Sequence, residues 1–274
     1  TTPMRVLDLF SGIGGFSLGL ERTGGFRTVA FCESDPHCQK VLKKHWPRVP
    51  IYNDIRHLDA SVLASDGITA DVITGGFPCQ DISYAGKGKG LNGTRSGLWH
   101  EMLRIIRDVR PTWAIVENVS ALRSRGLARI LQDLCKVGYC VEWHCIPASS
   151  IGAPHQRDRI WITAYGNPDS HSQSAISLND EAPIMPGTIA NPDSQRGCMR
   201  HPEWQHAEDA GQPPISEGYH TRTMVCWDTE SSIRRVAHGV PRRVDRLRQL
   251  GNSVVPQIPQ LIGEAIIRYE EAHP

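Results

Sequence analysis

A strand, a glycine-rich turn and a helix follow one another at the start of the chain, and this order constrains the possible folds more than any other feature. Residues 4–10 are mostly apolar and of strand length, and Ser11-Gly12-Ile13-Gly14-Gly15 follows directly. Because glycine has no Cβ, the backbone of such a turn can approach a bound ligand closely. The pattern predicts a nucleotide-type cradle, although a tight connection without any ligand explains this turn equally well.

Short apolar runs of strand length recur along the first 165 residues and alternate with helical patterns. Alternation of this kind favours an α/β fold with an open, mostly parallel sheet. Further strands are predicted at residues 27–32, 49–52, 71–74, 113–116, 141–148 and 159–164, the last two as a hairpin. Helices are predicted after the cap Asp35, at residues 98–109, at 123–137 and at 258–269.

The stretch Gly75–Ser83 follows a predicted strand and presents one thiol, that of Cys79. Its glycines and Pro78 end the strand and predict a tight loop, and open α/β sheets place their ligands at such strand ends. Pro78 restricts its own φ, which helps to hold the sulfur of Cys79 in one place. A lone cysteine is usually a small buried apolar residue, but these neighbours favour a nucleophile.

Three acidic residues stand at the ends of other predicted strands. Glu33 lies about 20 positions after the glycine turn, the spacing at which a carboxylate accepts hydrogen bonds from a ribose. Asp54 could meet an adenine amino group, and Glu117 is a candidate acid beside the Cys79 loop. Plainer interpretations are a charge at a helix N-terminus for Glu33 and a turn residue for Asp54.

Cations are concentrated in three segments. Arg157 and Arg159, two apart on a predicted strand, should point the same way and bind a base carbonyl or a phosphate, or else form surface salt bridges. Residues 84–97 combine glycines with lysine and arginine, which predicts a mobile basic lid. Residues 233–249 carry six arginines against one acid, which suits a phosphate backbone or a solvated linker.

Composition excludes several other classes of protein. The 274 residues are 39% hydrophobic and 22% charged, with a net charge of +1, as in an ordinary soluble protein with no overall preference for acidic or basic partners. The eight cysteines show no repeated pair spacing and no secretory leader is visible, so we expect a reducing cytoplasm. No apolar run approaches the ~20 residues of a membrane span. A monomer without membrane contacts is expected.

The composition changes near Gly166, where a stretch rich in Pro, Ser, Asn, Gln and His begins. Its weak periodicity predicts a smaller, irregular module, and its cysteines and histidines lack a Cys-x-x-Cys pair, so no metal site is predicted. The amphipathic last helix should dock on the first domain. The expected domains are 1–165 (catalytic and cofactor domain), 166–249 (target module and basic linker) and 250–274 (returning turn and helix).

Seven motifs complete the sequence evidence. In chain order they are Asp8-Leu9-Phe10-Ser11-Gly12-Ile13-Gly14-Gly15, Glu33-Ser34-Asp35, Asn53-Asp54-Ile55, Gly76-Phe77-Pro78-Cys79-Gln80, Glu117-Asn118-Val119, Arg157-Asp158-Arg159 and Leu250-Gly251-Asn252-Ser253-Val254. Together they resemble the cytosine-5 DNA methyltransferases, in the linear motif order of the bacterial and phage enzymes. The likeness covers residues 4–165 and 234–270 and leaves only the insert uncovered.

The resemblance implies a Rossmann-like, doubly wound, mostly parallel sheet, which is the S-adenosylmethionine-dependent methyltransferase fold. It implies S-adenosyl-L-methionine as the methyl donor and S-adenosyl-L-homocysteine as the product. Residues 166–232 would be the target-recognition module. The residues implied to bind the cofactor are Phe10, Gly12, Gly14, Glu33, Asp54, Ile55, Pro78, Leu98, Asn252 and Val254.

The resemblance also implies methylation of carbon 5 of a cytosine flipped out of a short, specific sequence in double-stranded DNA. Cys79 would add to carbon 6 as a thiolate, and Glu117, in its acid form with a pKa raised by burial, would bind N3. Arg159 would hold the O2 carbonyl, with Arg157 supporting the loop or a phosphate. The family often has glutamine where this chain has His155, so no role of that glutamine is carried over.

Three other functions are compatible with parts of the sequence. A tRNA-methylating relative would use the same pocket, and a non-catalytic DNA-binding relative would keep the same fold. A nicotinamide dehydrogenase is the weakest alternative, because Gly12-Ile13-Gly14-Gly15 lacks the full spacing of that fingerprint. A cognate restriction endonuclease is a candidate partner of a DNA-methylating enzyme.

Overall fold

The computed structural model describes residues 2–78, 97–166 and 249–273, all of which belong to one compact unit. Cys79, nearly all of the predicted basic lid and the predicted target module up to residue 248 lie outside the described residues. The domain boundaries therefore stay predictions. Among the helices of the described ranges, none combines the length and the hydropathy of a membrane span.

Strands and helices alternate along the described chain. The strands are β1 (Met4–Leu9), β2 (Phe26–Cys32), β3 (Ile51–Tyr52), β4 (Val72–Gly75), β5 (Trp113–Val119), β6 (Tyr139–Pro147) and β7 (Asp158–Gly166). The helices are α1 (Gly15–Glu21), α2 (Pro36–His45), α3 (Ala60–Ser65), α4 (Leu98–Val109), α5 (Leu122–Arg125), α6 (Leu127–Lys136) and α7 (Gln257–Ala272). Short 3-10 turns cover Ile55–His57 and Ala148–Ile151.

These strands form one sheet in the order β3-β2-β1-β4-β5-β7-β6. Pairing is parallel from β3 to β5, whereas β7 is antiparallel to both β5 and β6. The chain moves outward from β1 to β3 and then returns to place β4 on the other side of β1, so the strand order reverses there. Open sheets of this kind bind ligands at the carboxyl ends of the strands beside this reversal. The predicted α/β fold is confirmed.

Helices cover both faces of the sheet, and each face has its own apolar cluster. On one face, Trp99 of α4 and Ile130 of α6 are fully buried against the strands. On the other face, Phe16 of α1 and Ile266 of α7 are buried in the same way. Burying one side chain of this size contributes about 1.5–3 kcal/mol to stability, so both helix layers are held firmly on the strands that carry the site.

The last helix, α7, returns to pack on α1, as its amphipathic pattern predicts. The approach is close because α1 is rich in glycine. A Cβ at Gly15 would lie 2.5 Å from the carbonyl oxygen of Val254, and one at Gly19 would collide with the carbonyl oxygen of Pro256. The turn before α7 therefore rests directly on the first turn of α1, beside the glycine-rich loop.

Helix α2 begins as predicted, whereas the helix predicted at 123–137 is interrupted. Asp35 caps α2 by accepting a hydrogen bond from the His37 N–H at 2.7 Å. The second helix is instead divided into α5 and α6 at Gly126, whose φ of 168° is extended rather than helical. Because that conformation interrupts the helical hydrogen-bond ladder, the prediction of one continuous helix was wrong.

Candidate active site

The turn after β1 adopts left-handed backbone conformations next to open space. Phe10 has a φ of 53° and Gly12 a φ of 55°, and a non-glycine residue in this region costs about 1–3 kcal/mol. A Cβ built on Gly12 would meet no atom of the described residues within 4 Å. Strain of this kind is typical of ligand-binding turns, and the space beside Gly12 leaves its backbone open to approach.

The other glycine predicted to line the cofactor site faces protein atoms. Gly14 has a φ of 86°, and a Cβ there would lie 2.7 Å from the ring of Trp46 and 3.1 Å from the side chain of Leu42. Leu42 lies in α2 and Trp46 directly follows that helix. Packing against α2 therefore accounts for Gly14 without any ligand.

Glu33, at the end of β2, joins the glycine turn to the start of α2. Its Oε2 accepts a hydrogen bond from the Gly12 N–H at 2.7 Å, and its Oε1 accepts one from the Asp35 N–H at 2.7 Å. A carboxylate oxygen has two lone pairs, so each oxygen can accept a second hydrogen bond. The side chain predicted to bind a ribose is thus fixed in place beside the open turn.

Asp54 and Ile55 follow β3 at the same edge of the sheet. The Asp54 carboxylate accepts hydrogen bonds from the backbone N–H of Arg56 at 3.0 Å and from its guanidinium at 2.7 Å. These hydrogen bonds lower the pKa of Asp54 to about 2. Ile55 is buried, with 5% of its surface exposed. Asp54 is therefore an ionised acceptor at the rim of the site.

The loop that leads to Cys79 is held from two sides. The Phe77 ring is buried against Trp99 with the ring centroids 5.6 Å apart, and the Asn118 side chain donates a hydrogen bond to the Phe77 carbonyl at 3.2 Å. Pro78 follows and is partly buried. No role was predicted for Asn118, although its place in the Glu117-Asn118-Val119 motif was the available signal.

Glu117, on β5, lies over the Cys79 loop and contacts Arg159 on β7. A Cβ built on Gly76 would be 3.0 Å from Glu117 Oε2, and Gly76 stands three residues before Cys79. Glu117 Oε1 is 3.0 Å from Arg159 Nε, and only 12% of the Glu117 side chain is exposed. Burial raises the pKa of Glu117, and the charges of Arg159 and Arg157 oppose part of that rise. The expected direction of this pKa shift is confirmed.

Arg157 does not lie on the strand with Arg159, so the prediction that both arginines belong to one strand was wrong. It precedes β7 and has a φ of 37°. Its Nη1 donates to the Gly251 carbonyl at 2.8 Å and its Nη2 to the Ser253 carbonyl at 2.5 Å. Burial lowers the pKa of Arg157. Arg157 therefore fastens the turn before α7 to the edge of the site.

The turn that Arg157 holds carries two predicted cofactor residues. Asn252 is exposed and Val254 is partly buried, with the Val254 backbone resting on Gly15 as described above. Leu98 opens α4 and packs, partly buried, against the apolar cluster on that side of the sheet. The structure thus places Val254 beside the glycine turn and Leu98 on the helix whose next residue, Trp99, packs against Phe77.

Asp8 is a buried carboxyl group to which the sequence analysis gave no role. It is fully buried on β1 and accepts hydrogen bonds from the Ser17 hydroxyl of α1 at 2.8 Å and from the Thr74 hydroxyl of β4 at 3.0 Å. Burial raises the pKa of Asp8 to about 7. Asp8 joins the strands that carry the glycine turn and the Cys79 loop. The available signal in the sequence was the position of Asp8, a charged residue inside an apolar run.

No group of His, Cys, Asp and Glu side chains suited to a metal ion occurs in the parts of the chain that the structure describes. The cysteines and histidines of the predicted target module lie outside those parts.

Comparisons with known proteins cover more than half of this chain. The model of the C-5 cytosine-specific DNA methylase family matches residues 4–208. The Type II methyltransferase M2.BsuMI of Bacillus subtilis strain 168 is 36% identical over 169 residues, which are 59% of this chain and 42% of that protein. M.HgiBI of Herpetosiphon aurantiacus is 37% identical over 163 residues, which are 58% of this chain and 36% of that protein. The match therefore spans less than half of either relative.

Solved structures agree on the fold. A DNA modification methyltransferase encoded within an Escherichia coli prophage superposes with a TM-score of 0.51 and 26% identity, covering 60% of this chain and 47% of that one. The Entamoeba histolytica methyltransferase EhMeth gives a TM-score of 0.52 at 21% identity over 68% of this chain and 59% of that one, which is evidence for the fold alone. Because the family match extends from β1 to beyond β7, this protein belongs to the C-5 cytosine-specific DNA methylase family.

Proposed function

We propose that this protein transfers a methyl group from S-adenosylmethionine to carbon 5 of a cytosine in double-stranded DNA. The observation that carries the proposal is the ion pair of Glu117 and Arg159, which are 3.0 Å apart and whose side chains are only 12% and 21% exposed. Glu117 lies against Gly76, three residues before Cys79. A buried acid, a guanidinium and a thiol are the groups that activate a cytosine ring toward an electrophile.

The described residues fit the methyl donor. The space beside Gly12 admits a ligand to the backbone, Glu33 has acceptor sites left for ribose hydroxyls, and Asp54 is an ionised acceptor for an adenine amino group. When bound, S-adenosylmethionine supplies a methyl group on a positively charged sulfur and leaves as S-adenosylhomocysteine. The residues proposed to hold it are Phe10, Gly12, Gly14, Glu33, Asp54, Ile55, Pro78, Leu98, Asn252 and Val254.

Cys79 makes the cytosine reactive. Carbon 5 of cytosine is a weak nucleophile, and addition of the Cys79 thiolate to carbon 6 converts the ring into an enamine whose carbon 5 can accept the methyl group. Loss of the carbon-5 proton and breakage of the bond between Cys79 and carbon 6 then release 5-methylcytosine and regenerate the thiolate. Positive charge nearby favours the thiolate, and we assign this effect to Arg157 and Arg159, whose charges act on Glu117.

Glu117 and Arg159 stabilise the ring while Cys79 is attached. Because burial raises its pKa, Glu117 is suited to carry a proton and donate it in a hydrogen bond to N3, where addition places negative charge. Arg159 donates to the O2 carbonyl. Its guanidinium has five N–H donors, so Nε can keep its contact with Glu117 while another N–H binds the base. Arg157 positions the adjoining turn.

The target base must leave the duplex before Cys79 can reach it. Flipping a base out of the stack costs a few kcal/mol, and we assign recognition of the DNA sequence to residues 166–249, with the arginines at 233–249 on the phosphate backbone. The Type II names of the relatives support a short specific target and a restriction–modification setting, with a cognate endonuclease as partner.

The experiment incubates the full-length protein with S-adenosylmethionine labelled on its methyl group and with either duplex DNA or tRNA. We expect label on DNA, at cytosines that bisulfite sequencing of plasmid from expressing cells then places in one short sequence. A Cys79→Ser variant should bind S-adenosylhomocysteine and transfer no label. Label on tRNA alone would contradict the assignment of DNA as the substrate. Label on neither substrate would contradict the assignment of methyltransferase activity.

A further inference from the structure

Arg104, on α4, binds the turn that follows β3. Its Nη2 donates hydrogen bonds to the carbonyl oxygens of Ile55 and Leu58, both at 2.9 Å. Glu101, one turn earlier on α4, accepts from Arg104 Nε at 2.9 Å and from Nη2 at 2.8 Å. The carboxylate fixes the orientation of the guanidinium, so the two carbonyl oxygens are held by a rigid partner from a different element.

The turn depends on this partner because its other backbone support is short. β3 contains two residues, so pairing with β2 ends just before Asp54. Within the turn, the His57 N–H donates to the Asp54 carbonyl at 3.1 Å and the Leu58 N–H to the Ile55 carbonyl at 3.3 Å. These local hydrogen bonds shape the turn. Burial of the Ile55 and Leu58 side chains in the core holds it against the sheet, and Arg104 fixes the carbonyl oxygens of the same two residues.

Helix α4 also contacts the loop that leads to Cys79. Trp99 packs on Phe77 with the ring centroids 5.6 Å apart, and the Met102 sulfur would lie 3.1 Å from a Cβ built on Gly75. Arg104 follows Met102 on the same helix. One helix therefore touches both the turn of Asp54 and Ile55 and the loop of the proposed nucleophile.

We propose that Arg104 is a positioning residue for the adenine of the methyl donor. It acts through the Ile55 and Leu58 carbonyls, which it holds so that Asp54 and Ile55 present a fixed edge to the adenine ring. The proposal rests on the proposed function, because the adenine belongs to the cofactor assigned there. It predicts that Arg104 controls affinity for the adenine half of the ligand and leaves the chemistry at Cys79 unchanged.

The test measures calorimetric binding of S-adenosylhomocysteine and of S-inosylhomocysteine, which lacks the adenine amino group, to the full-length protein. The wild type should prefer the adenosyl ligand. Arg104→Met removes every donor, and we expect its affinity for the adenosyl ligand to fall about 10-fold with most of the preference lost. Arg104→Lys should be intermediate, and kcat at saturating S-adenosylmethionine should stay close to the wild-type value.

Arg107→Met is the matched control, since Arg107 lies on the same helix and pairs with its neighbour Asp108. It should bind both ligands as the wild type does. Equal losses for both ligands in the Arg104 variants, or no loss, would overturn the positioning role. If circular dichroism shows that Arg104→Met does not fold, the affinities of Arg104→Lys for the two ligands test the proposal instead. A wild type that binds neither ligand would instead refute the proposed cofactor.

Discussion

At the β1–β3 end of the site, the acidic side chain of Asp54 is held by a residue close to it in sequence. Asp54 accepts from Arg56, which keeps the pKa of Asp54 near 2. At the β5–β7 end, Glu117 is buried against Arg159 of a neighbouring strand and its pKa is raised. One end therefore keeps its acid ionised at the surface, and the other keeps an acid that can hold a proton.

The difference follows from what each end is proposed to do. A carboxylate that accepts hydrogen bonds from ribose or amino groups works best when it is ionised. Hydrogen bonds from neighbouring residues keep it ionised without deep burial. A general acid must keep its proton near neutral pH, which requires burial. Asp8 is also buried with a raised pKa, but its carboxyl group accepts hydrogen bonds from Ser17 and Thr74, which are themselves fully buried. Burial alone does not make a carboxyl catalytic.

Among substitutions that compare the two ends of the site, Glu117→Gln should have the largest effect on activity. The amide fills the same space but cannot transfer a proton, so we expect kcat to fall about 10²–10⁴-fold. In the wild type, activity should fall as pH rises through the raised pKa of Glu117, and the variant should lack this decline. Glu142→Gln, an exposed glutamate on β6, is the control. A Glu117→Gln variant with near-normal kcat would remove the acid role.

Asp8→Asn should change stability instead of chemistry. With a folded pKa of about 7 against 3.8, folded Asp8 keeps a proton that the unfolded chain has already released. Stability should therefore fall as pH rises from about 4 to about 7, by roughly 4 kcal/mol. The Asp8→Asn variant should lack this decrease of stability with pH. Denaturant unfolding across that range measures it, and identical slopes in both proteins would contradict the assignment.

Arg157→Met should weaken cofactor binding. Without its hydrogen bonds to the Gly251 and Ser253 carbonyls, the turn before α7 loses its attachment, and we expect the KM for S-adenosylmethionine to rise about 10-fold. Arg110→Met is matched, because Arg110 also has a left-handed backbone and donates to a carbonyl, that of Val137. Equal KM values for the two variants would show that the tether has no specific part in binding.

Asp54→Asn should have the smallest effect. The amide oxygen still accepts a hydrogen bond but without charge, so the KM for S-adenosylmethionine should rise by only about 3-fold. Asp59→Asn removes the charge from another capping aspartate, that of α3, and should leave KM unchanged. If the KM for S-adenosylmethionine rises more in Asp59→Asn than in Asp54→Asn, the effect would come from local folding and not from a contact between Asp54 and the cofactor.

Sequence patterns predicted the parts of this protein that depend on neighbouring residues. Apolar runs identified every strand of the described sheet, and Asp35 with Pro36 marked the start of α2. The strand-end position of Glu117 predicted a site acid, and its motif implied the raised pKa. These features are local because strand and helix periodicity and capping act within a few residues.

Individual side-chain contacts between distant segments escaped prediction, although the docking of α7 on the first domain did not. Nothing in the order of residues shows that Arg157 turns back to bind the Gly251 and Ser253 carbonyls, or that Asn118 donates to the Phe77 carbonyl. Gly14 was predicted to line the cofactor site, but the sequence did not show that its missing Cβ also makes room for Trp46. Each of these depends on which elements pack together, and that is decided by the whole sheet.

The most direct test of the covalent mechanism uses a DNA duplex with 5-fluorocytosine at the methylated position. Fluorine cannot leave as a proton, so elimination should stop after methyl transfer and the protein should stay bonded to DNA. We predict an adduct that survives denaturation and maps to the peptide containing Cys79. An adduct on another cysteine, or none while the ordinary duplex is methylated, would contradict the account.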